Sequence, residues 1–403
     1  MTGVLSGVRV IDFTERVQGP FATQILGDLG ADVIKIERVE PVTPDGRPDE
    51  RYGGDQAKRS LYRATFLSNN RNKRSVALDL KTDEGREIAL ELIAGADVVY
   101  ENFRPGVMDR LGLGFAQCQE VNPGVIYVHA TGYGSDGPFR DRPGQDVLAQ
   151  ALSGMGQMNV NSSGRPQAVG MSITDVLGGL YGAVGALAAI IHRNRYGEGQ
   201  EVSVDLLSSA MAALSEHFVH FLNSDSGEPE RQTEMHAHGY IPPPYGFYRT
   251  RDGYLALSSG RQIEQLCELV GIENLQEDPR FDSYEKRLAN RAEMEEILEG
   301  ALSRRTTQEW LEILVPQDIF AQRVNTLEEA ARAQVVQARK LIQTVVRDSE
   351  EIHLVAPPIS FSVTPSAIHR APPIHGEHTR EILDEIQRAP DQVDVLYERR
   401  VVA

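Results

Sequence analysis

Asp175 stands near the start of Ile173-Thr-Asp-Val-Leu-Gly-Gly-Leu-Tyr-Gly-Ala-Val-Gly-Ala-Leu-Ala-Ala-Ile-Ile-His192, one carboxylate at the head of an apolar, small-residue helix. In a first helical turn, a carboxylate meets free backbone N–H groups and the positive end of the helix dipole. Those groups favour its ionised form where water is scarce, and an ionised, poorly hydrated carboxylate is a nucleophile. The same place suits a capping aspartate, so spacing alone leaves both roles open. A second group of residues has the chemistry to hold an anion: Lys35, Arg38, Arg71-Asn72-Lys73-Arg74, Lys81, Arg104 and Arg110. Lys and Arg also populate solvated surface, so their placement decides.

That placement follows from the segments around them. Val8 to Phe13 reads as a strand, Phe21 to Leu29 as a helix stopped by Gly30, and Val33 to Glu37 as a second strand. Ser75 to Leu80, Asp97 to Tyr100 and Val125 to His129 continue the strands, with a helix over Asp83 to Ala94. Such alternation predicts an α/β fold, a parallel doubly wound sheet whose ligands bind beyond the carboxyl ends of the strands. Gln18, Arg38, Lys81 and Asn102-Phe-Arg-Pro-Gly106 each follow a strand, which gathers them at one edge. The first turn lacks Gly-x-Gly-x-x-Gly and no Gly-x-x-x-x-Gly-Lys-Ser/Thr occurs, which disfavours NAD-type and P-loop chemistry. A Ser, Gly, Glu and Pro-rich stretch from Asn223 to Tyr245 marks a boundary before a second domain.

With 403 residues, two domains are expected. Lys and Arg number 41 against 58 Asp and Glu, a formal charge of −17, which argues against general nucleic-acid or anionic-membrane binding. Two cysteines, Cys118 and Cys267, form neither a disulfide framework nor a paired metal motif. The opening residues have no basic region followed by an apolar core, and the apolar run from Val176 to Ile191 is 16 residues, short for a membrane span. The expectation is a cytoplasmic chain with a buried, closely packed helix after Asp175.

Five segments together make the chain resemble the class III CoA-transferase family, the formyl-CoA and carnitine CoA-transferase type related to alpha-methylacyl-CoA racemases. They are Leu5 to Arg38 with Gly-Ala-Asp-Val-Ile-Lys-Ile-Glu-Arg, Asn72-Lys-Arg-Ser-Val-Ala-Leu-Asp-Leu-Lys81, and Ala96-Asp-Val-Val-Tyr-Glu-Asn-Phe-Arg-Pro-Gly106. The others are Thr174-Asp175 with its helix running to Arg195-Tyr-Gly-Glu-Gly-Gln200, and Gly376-Glu-His-Thr379. The resemblance implies that Asp175 is catalytic. It also implies that Val17, Gln18, Arg38, Leu78, Lys81, Asn102, Phe103, Arg104 and Arg110 contact coenzyme A, with Asp146 beside the site. Coenzyme A or acyl-CoA would be a substrate, with no tightly bound cofactor and no metal. The implied assembly is an interlocked homodimer: a Rossmann-like large domain over 1–200 completed by 351–403, a smaller α+β domain over 226–325, and linkers over 201–225 and 326–350.

The expected reaction moves CoA from an acyl-CoA to a free carboxylic acid through an aspartyl anhydride and an aspartyl-CoA thioester. Two other readings compete: a 2-methylacyl-CoA racemase, and a catalytically silent CoA-binding subunit. Racemase chemistry needs two acid/base groups, typically His then Asp on the loop that here reads Arg142-Pro-Gly-Gln145-Asp146, and Gln145 does not titrate near neutrality. The formyl-CoA branch's run of glycines is missing between His236 and Gly260, which makes oxalate and formate poor candidates. His217/His220 and His236/His238 have metal-compatible spacings without a third ligand, and ordinary polar contacts are the expectation. Tyr62 would line the acyl pocket by family position or simply pack.

Overall fold

A computed structural model describes residues 3–40, 61–158, 164–225, 227, 237–273, 275 and 277–403. In chain order its first elements are β1 (Arg9–Asp12), α1 (Gln18–Asp28), β2 (Asp32–Glu37), α2 (Leu61–Asn69), β3 (Lys73–Ala77), α3 (Asp83–Ala94) and β4 (Val98–Glu101). There follow α4 (Val107–Arg110), α5 (Phe115–Val121), β5 (Ile126–Thr131), α6 (Asp146–Leu152), α7 (Met155–Met158), α8 (Ile173–Tyr196), β6 (Glu201–Asp205), α9 (Leu206–Ala213) and α10 (Ser215–Asn223). The rest comprises β7 (Tyr245–Arg249), β8 (Tyr254–Ser258), α11 (Ile263–Val270), α12 (Tyr284–Ala289), α13 (Arg291–Leu302), α14 (Thr307–Leu314) and β9 (Ala321–Arg323). It closes with α15 (Leu327–Arg332), α16 (Gln334–Ala338), β10 (Ile342–Arg347), β11 (Glu350–Val355), α17 (Thr379–Glu385) and α18 (Pro390–Glu398).

Among the described residues, Met1–Ser153, Gly170–Leu214 and Val335–Ala403 form one compact unit. Its main sheet has six strands, all parallel, in the order β3-β2-β1-β4-β5-β6, and β10 and β11 form a separate antiparallel pair. The chain winds outward from β1 to β3 and then lays β4 on the other side of β1, so the winding reverses between β1 and β4. Successive strand residues enter opposite layers, as a sheet covered on both faces requires. Val10, Val33, Val98, Tyr100, Ile126 and Val128 pack with Leu26 of α1 and Ala183 and Ala186 of α8. Ile11, Ile34, Val76, Val99 and Tyr127 pack on the other face with Ile88 and Leu92 of α3, Cys118 of α5, Ile382 of α17 and Leu396 of α18.

Residues 201–214, expected as part of a linker, are β6 and α9 of this unit, because Tyr127↔Glu201 through Thr131↔Asp205 pairing extends the sheet. The C-terminal segment runs along the outer edge of β3. His378 N–H donates to Ser75 O (2.9 Å), Asp79 N–H to Val401 O (2.8 Å), and Ala403 N–H to Ala77 O (3.3 Å).

Helix α8 has 24 residues and is long and apolar enough by composition to cross a membrane, beyond the 16-residue run expected from sequence. In this unit its Gly178, Gly179, Gly182, Ala183, Ala186 and Ala189 are buried. A Cβ on Gly182 would fall 1.8 Å from the Tyr100 hydroxyl, so only glycine lets helix and sheet approach this closely.

The second unit comprises Gly154–Val169 and Ser215–Gln334. Its antiparallel sheet β7-β8-β9 shares a core of Tyr248, Leu255, Leu257, Leu266, Met294, Leu298, Trp310 and Leu314 with α11, α13 and α14. Thr306 and Glu309 form a capping box at the start of α14, and the Trp310 indole N–H donates to Leu302 O (2.6 Å).

Candidate active site

The loop between β1 and α1 is fixed from beneath by buried charge. Asp12, the last residue of β1, accepts from Thr14 N–H (2.8 Å) and the Thr14 hydroxyl (2.5 Å) with one oxygen, and from Thr23 and Lys73 with the other. Lys73 Nζ, fully buried, lies within 3.0 Å of Asp12, Pro20 O, Thr23 and Asn70. Lys35 donates to Thr14 O (2.6 Å). Burial would raise the Asp12 carboxyl, but the Lys73 and Lys35 ammonium groups outweigh it and hold it at about 2. Burial lowers Lys73 to about 8 against the opposing pull of Asp12. Thr14 is thus held at both its N–H and its carbonyl, and α1 enters from a predetermined direction.

Asn102 fastens the same loop from β4. Its side chain accepts from Glu15 N–H (2.8 Å) and donates to Glu15 O (2.7 Å), spanning the point where the winding reverses. Val17 is the N-cap residue of α1, and Gln18 opens the helix, almost wholly buried. Gln18 lies against α8: a Cβ on Gly178 would meet its side-chain Nε2 at 2.7 Å, and one on Gly179 would meet its backbone carbonyl oxygen at 2.6 Å. The only described hydrogen bond of the Gln18 amide is a long one, Nε2 to Thr131 O at 3.5 Å.

Gly178 lies one helical turn beyond Asp175, so the first turn of α8 sits beside Gln18. Asp175 is the third residue of α8, and the N-cap residue is Ser172, which makes no side-chain cap bond. The cap comes from Asp146, the first residue of α6. Its Oδ1 accepts from Thr174 N–H (2.7 Å) and the Thr174 hydroxyl (2.8 Å), and its Oδ2 from Gln150 (2.6 Å). The capping function therefore belongs to Asp146, and Asp175 accepts no hydrogen bond among the described residues. Partial burial, then the Asp146 charge, push the Asp175 carboxyl up to about 7. The expected ionising effect of the helix end is thus outweighed by desolvation.

The basic residues divide into two groups. Lys35 and Lys73 are internal, Arg71 grips Asp28 (2.7 Å), and Arg74 bridges Asp32 and Glu385 at 2.7 and 2.5 Å. Sequence left these open because it does not show that Asp12, Asp28 and Asp32 lie across from them. Arg38, Lys81, Arg104 and Arg110 are exposed beyond the carboxyl ends of β2, β3 and β4. Arg38 meets Glu15 at 3.2 Å in a solvent-facing pair. Lys81, Arg104 and Arg110 have no ion pair among the described residues. Phe103 packs its ring against the core. Leu78, just past β3, has its side chain 2% exposed within the core and its N–H bonded to Glu37 O (2.8 Å).

Gln145 occupies the N-cap position of α6 without a side-chain cap bond and carries no titrating group. Tyr62, on α2, is exposed beneath the Arg16 guanidinium (5.6 Å), and Arg16 has a left-handed φ of 72° on the β1 loop. In the second unit His217, His220, His238 and Tyr240 form a ring cluster, with His217 and His238 centroids 4.3 Å apart and His220 and Tyr240 4.0 Å apart. Burial lowers His217 and His238, and no group of three metal-capable side chains occurs among the described residues. His236 lies outside them. The residues that sequence reasoning missed are Asp12, Lys35 and Lys73 as loop supports, although a carboxylate inside the apolar strand Val10-Ile-Asp-Phe13 signals a buried partner.

The profile of CoA-transferase family III matches residues 5–379. The chain is 34% identical over 389 residues to succinyl-CoA:glutarate CoA-transferase of Mus musculus, covering 95% of this chain and 86% of that one. It is 34% identical over 387 residues to the probable fatty acyl-CoA transferase Rv3272 of Mycobacterium tuberculosis, covering 94% and 97%. A crystal structure of an Asp→Ala mutant of Rv3272 superposes with a TM-score of 0.81 at 33% identity, covering 94% and 98% of the chains. A CAIB/BAIF family protein from Brucella suis gives 0.81 at 31%, covering 96% and 100%. A nearly full-length sequence match and a shared fold at this identity carry one conclusion: the chain belongs to CoA-transferase family III and is an acyl-CoA:carboxylate CoA-transferase.

Proposed function

We propose that the protein transfers CoA between carboxylic acids through covalent intermediates on Asp175. One observation carries the reading: Asp175 is a half-buried carboxylate with no hydrogen bond among the described residues, at the head of α8, beside Gln18 and on the sheet unit whose β3 and β4 ends present Lys81, Arg104 and Arg110. These cations suit the phosphates of CoA, with Arg38, Val17, Asn102 and Phe103 completing the nucleotide's surroundings. Ionised Asp175 attacks the thioester carbonyl of the donor, the C–S bond breaks, and CoA thiolate leaves a mixed anhydride. The thiolate then attacks the Asp175 carboxyl carbon, releasing the donor as its carboxylate and leaving an aspartyl-CoA thioester. An acceptor carboxylate attacks this thioester and expels CoA thiolate. The thiolate takes the acceptor acyl group from the new anhydride and restores Asp175. The Gln18 amide, held by only one long bond, supports the oxyanion of each tetrahedral stage.

Asp146 acts as a positioning residue: it fixes the first turn of α8 and opposes ionisation of Asp175 until substrate binds. For substrates, the relatives suggest an ordered screen. Succinyl-CoA with glutarate, malate and mesaconate comes first, since relatives carry those names at 34% identity. Oxalate follows, because acetyl-CoA:oxalate CoA-transferase of Acetobacter aceti is equally similar over 84% of this chain. The proposed assembly is an interlocked homodimer of large and small domains. Supporting it, Leu180, Tyr181, Val184 and Ile191 of α8 are exposed, and α10 buries none of its residues while exposing Val219, Phe221 and Leu222.

The test is intact-mass and peptide analysis after mixing the protein with succinyl-CoA. A CoA thioester on the Asp175 peptide, absent in Asp175→Asn, is the expected result. An adduct on another residue, or exchange retained by Asp175→Asn free of deamidation, overturns the mechanism.

A further inference from the structure

We infer that His129, acting through Glu101, is a positioning residue that sets the grip on CoA by holding the loop after β4. The inference rests on the CoA-binding reading of residues 102–104. Glu101 ends β4 and is 3% exposed, and its Oε2 accepts from Phe103 N–H at 2.7 Å. Its Oε1 meets His129 Nδ1 in a short contact from the neighbouring strand β5. His129 Nε2 meets Glu201 of β6 at 2.5 Å. Asn102, between the two, is bonded twice to Glu15. Three consecutive residues are therefore tied down just before Arg104, one of the exposed cations without an ion pair.

Both ring nitrogens of His129 face carboxylate oxygens, and imidazole donates from both nitrogens only when protonated. Burial disfavours that charge, but the Glu101 and Glu201 carboxylates overcome it and raise His129 above its ordinary value. The groups facing the ring are Glu101 from β4, Glu201 from β6, and Tyr127 on β5, whose ring centroid is 4.8 Å away and whose hydroxyl donates to Leu113 O (3.0 Å). Once His129 loses its proton, Glu101 becomes an uncompensated buried carboxylate. It then turns away from the ring, and the Phe103 N–H loses its charged acceptor. Nothing in the acyl-transfer steps uses His129, so its effect falls on affinity for the nucleotide.

The experiment is calorimetric titration of CoA into the intact protein at pH 7 and pH 9, with single-turnover acylation by succinyl-CoA. Parent protein that binds no CoA at either pH overturns the CoA reading itself, and this inference with it. If the parent binds, His129→Gln is expected to weaken CoA by about tenfold at pH 7 and to lose the parent's decline in affinity between pH 7 and 9. Acylation at saturating donor should stay within about twofold while the KM rises. Glu201→Gln removes only the outer, exposed carboxylate, and it is expected to move the alkaline decline to lower pH, which keeps the test decisive if His129→Gln folds poorly. Parent-like titrations in both variants, or a fall in saturated acylation with unchanged KM, overturn the positioning role and leave the CoA reading intact.

Discussion

Between pH 6 and pH 8 the rate at which Asp175 takes up an acyl group is expected to rise about tenfold, because ionisation of that one carboxyl gates its attack. With its carboxyl pushed up to about 7, it is ionised to about one-tenth at pH 6, about half at pH 7 and about nine-tenths at pH 8. At the ordinary value of 3.8 the rate would be flat over the same range. The assay is rapid-quench mass spectrometry of the adduct at succinyl-CoA well below its KM, where the rate reports the carboxyl of the free enzyme. Asp146→Asn serves as the internal control: it removes the second cause of the shift and should move the rise to lower pH, while its remaining carbonyl oxygen can still cap Thr174.

The same shift has a stability counterpart. The native carboxyl keeps its proton to higher pH than the unfolded one, so its contribution is full below about pH 4 and is lost as pH rises through about 7. Lifting the carboxyl by this much corresponds to about 4 kcal/mol, reduced to about 2–4 kcal/mol by partial solvent access. Asp175→Asn should match the parent near pH 4 and exceed it by that amount at pH 8 in urea unfolding. A flat acylation profile from pH 6 to 8, together with equal stability of parent and Asp175→Asn at pH 8, would refute the claim that desolvation sets the state of Asp175.

Arg104→Ala is expected to weaken CoA by about 1–3 kcal/mol with a reduced salt dependence, and Arg38→Ala by less, because Arg38 already shares its charge with Glu15; calorimetric titration in a salt series measures both. Gly182→Ala should cost about 1–3 kcal/mol in urea unfolding, since its methyl would strike the Tyr100 hydroxyl. Tyr100→Phe alone should be near neutral, because that hydroxyl is buried with no hydrogen-bond partner among the described residues, and it should recover part of the Gly182→Ala loss. Threaded subunits should show a dilution-independent dimer in sedimentation and no exchange with a tagged copy under native conditions; a concentration-dependent monomer would rule out interlocking.

The alternation of strands and helices from β1 to β5 was legible because most of these strands carry a compact apolar run ending in a polar residue, as in Val10-Ile11 before Asp12 or Val98-Val99-Tyr100 before Glu101. Edge strand β6 was not: Glu-Val-Ser-Val-Asp has a charged residue at each end and half-exposed residues between, so it reads as linker until β5 is beside it. At the site, the strand-end positions of Gln18, Arg38, Asn102 and Arg104 followed from chain order alone. The division of labour between two aspartates did not follow. Asp146 is the first residue of its own helix, yet it caps α8, a partnership across 28 residues that only tertiary packing creates. The burial of the Leu78 side chain did not follow from sequence either, since a residue beside a ligand edge and a residue filling the core can share one strand end. The acidic partners that absorb Lys73 and Arg74 are likewise distant in sequence.

The pairing of residues 401–403 with 77–79 bears on how the protein is made. On the ribosome, β1 to β3 emerge early, but the outer hydrogen-bonding edge of β3 has no partner until more than three hundred further residues have been synthesised. For that interval, on the order of tens of seconds at ordinary elongation rates, a bare parallel edge is open to wrong partners. The nascent sheet is therefore expected to need shielding by a chaperone. A stop codon just before residue 401 should yield a chain that aggregates even though every residue assigned to the chemistry is still present.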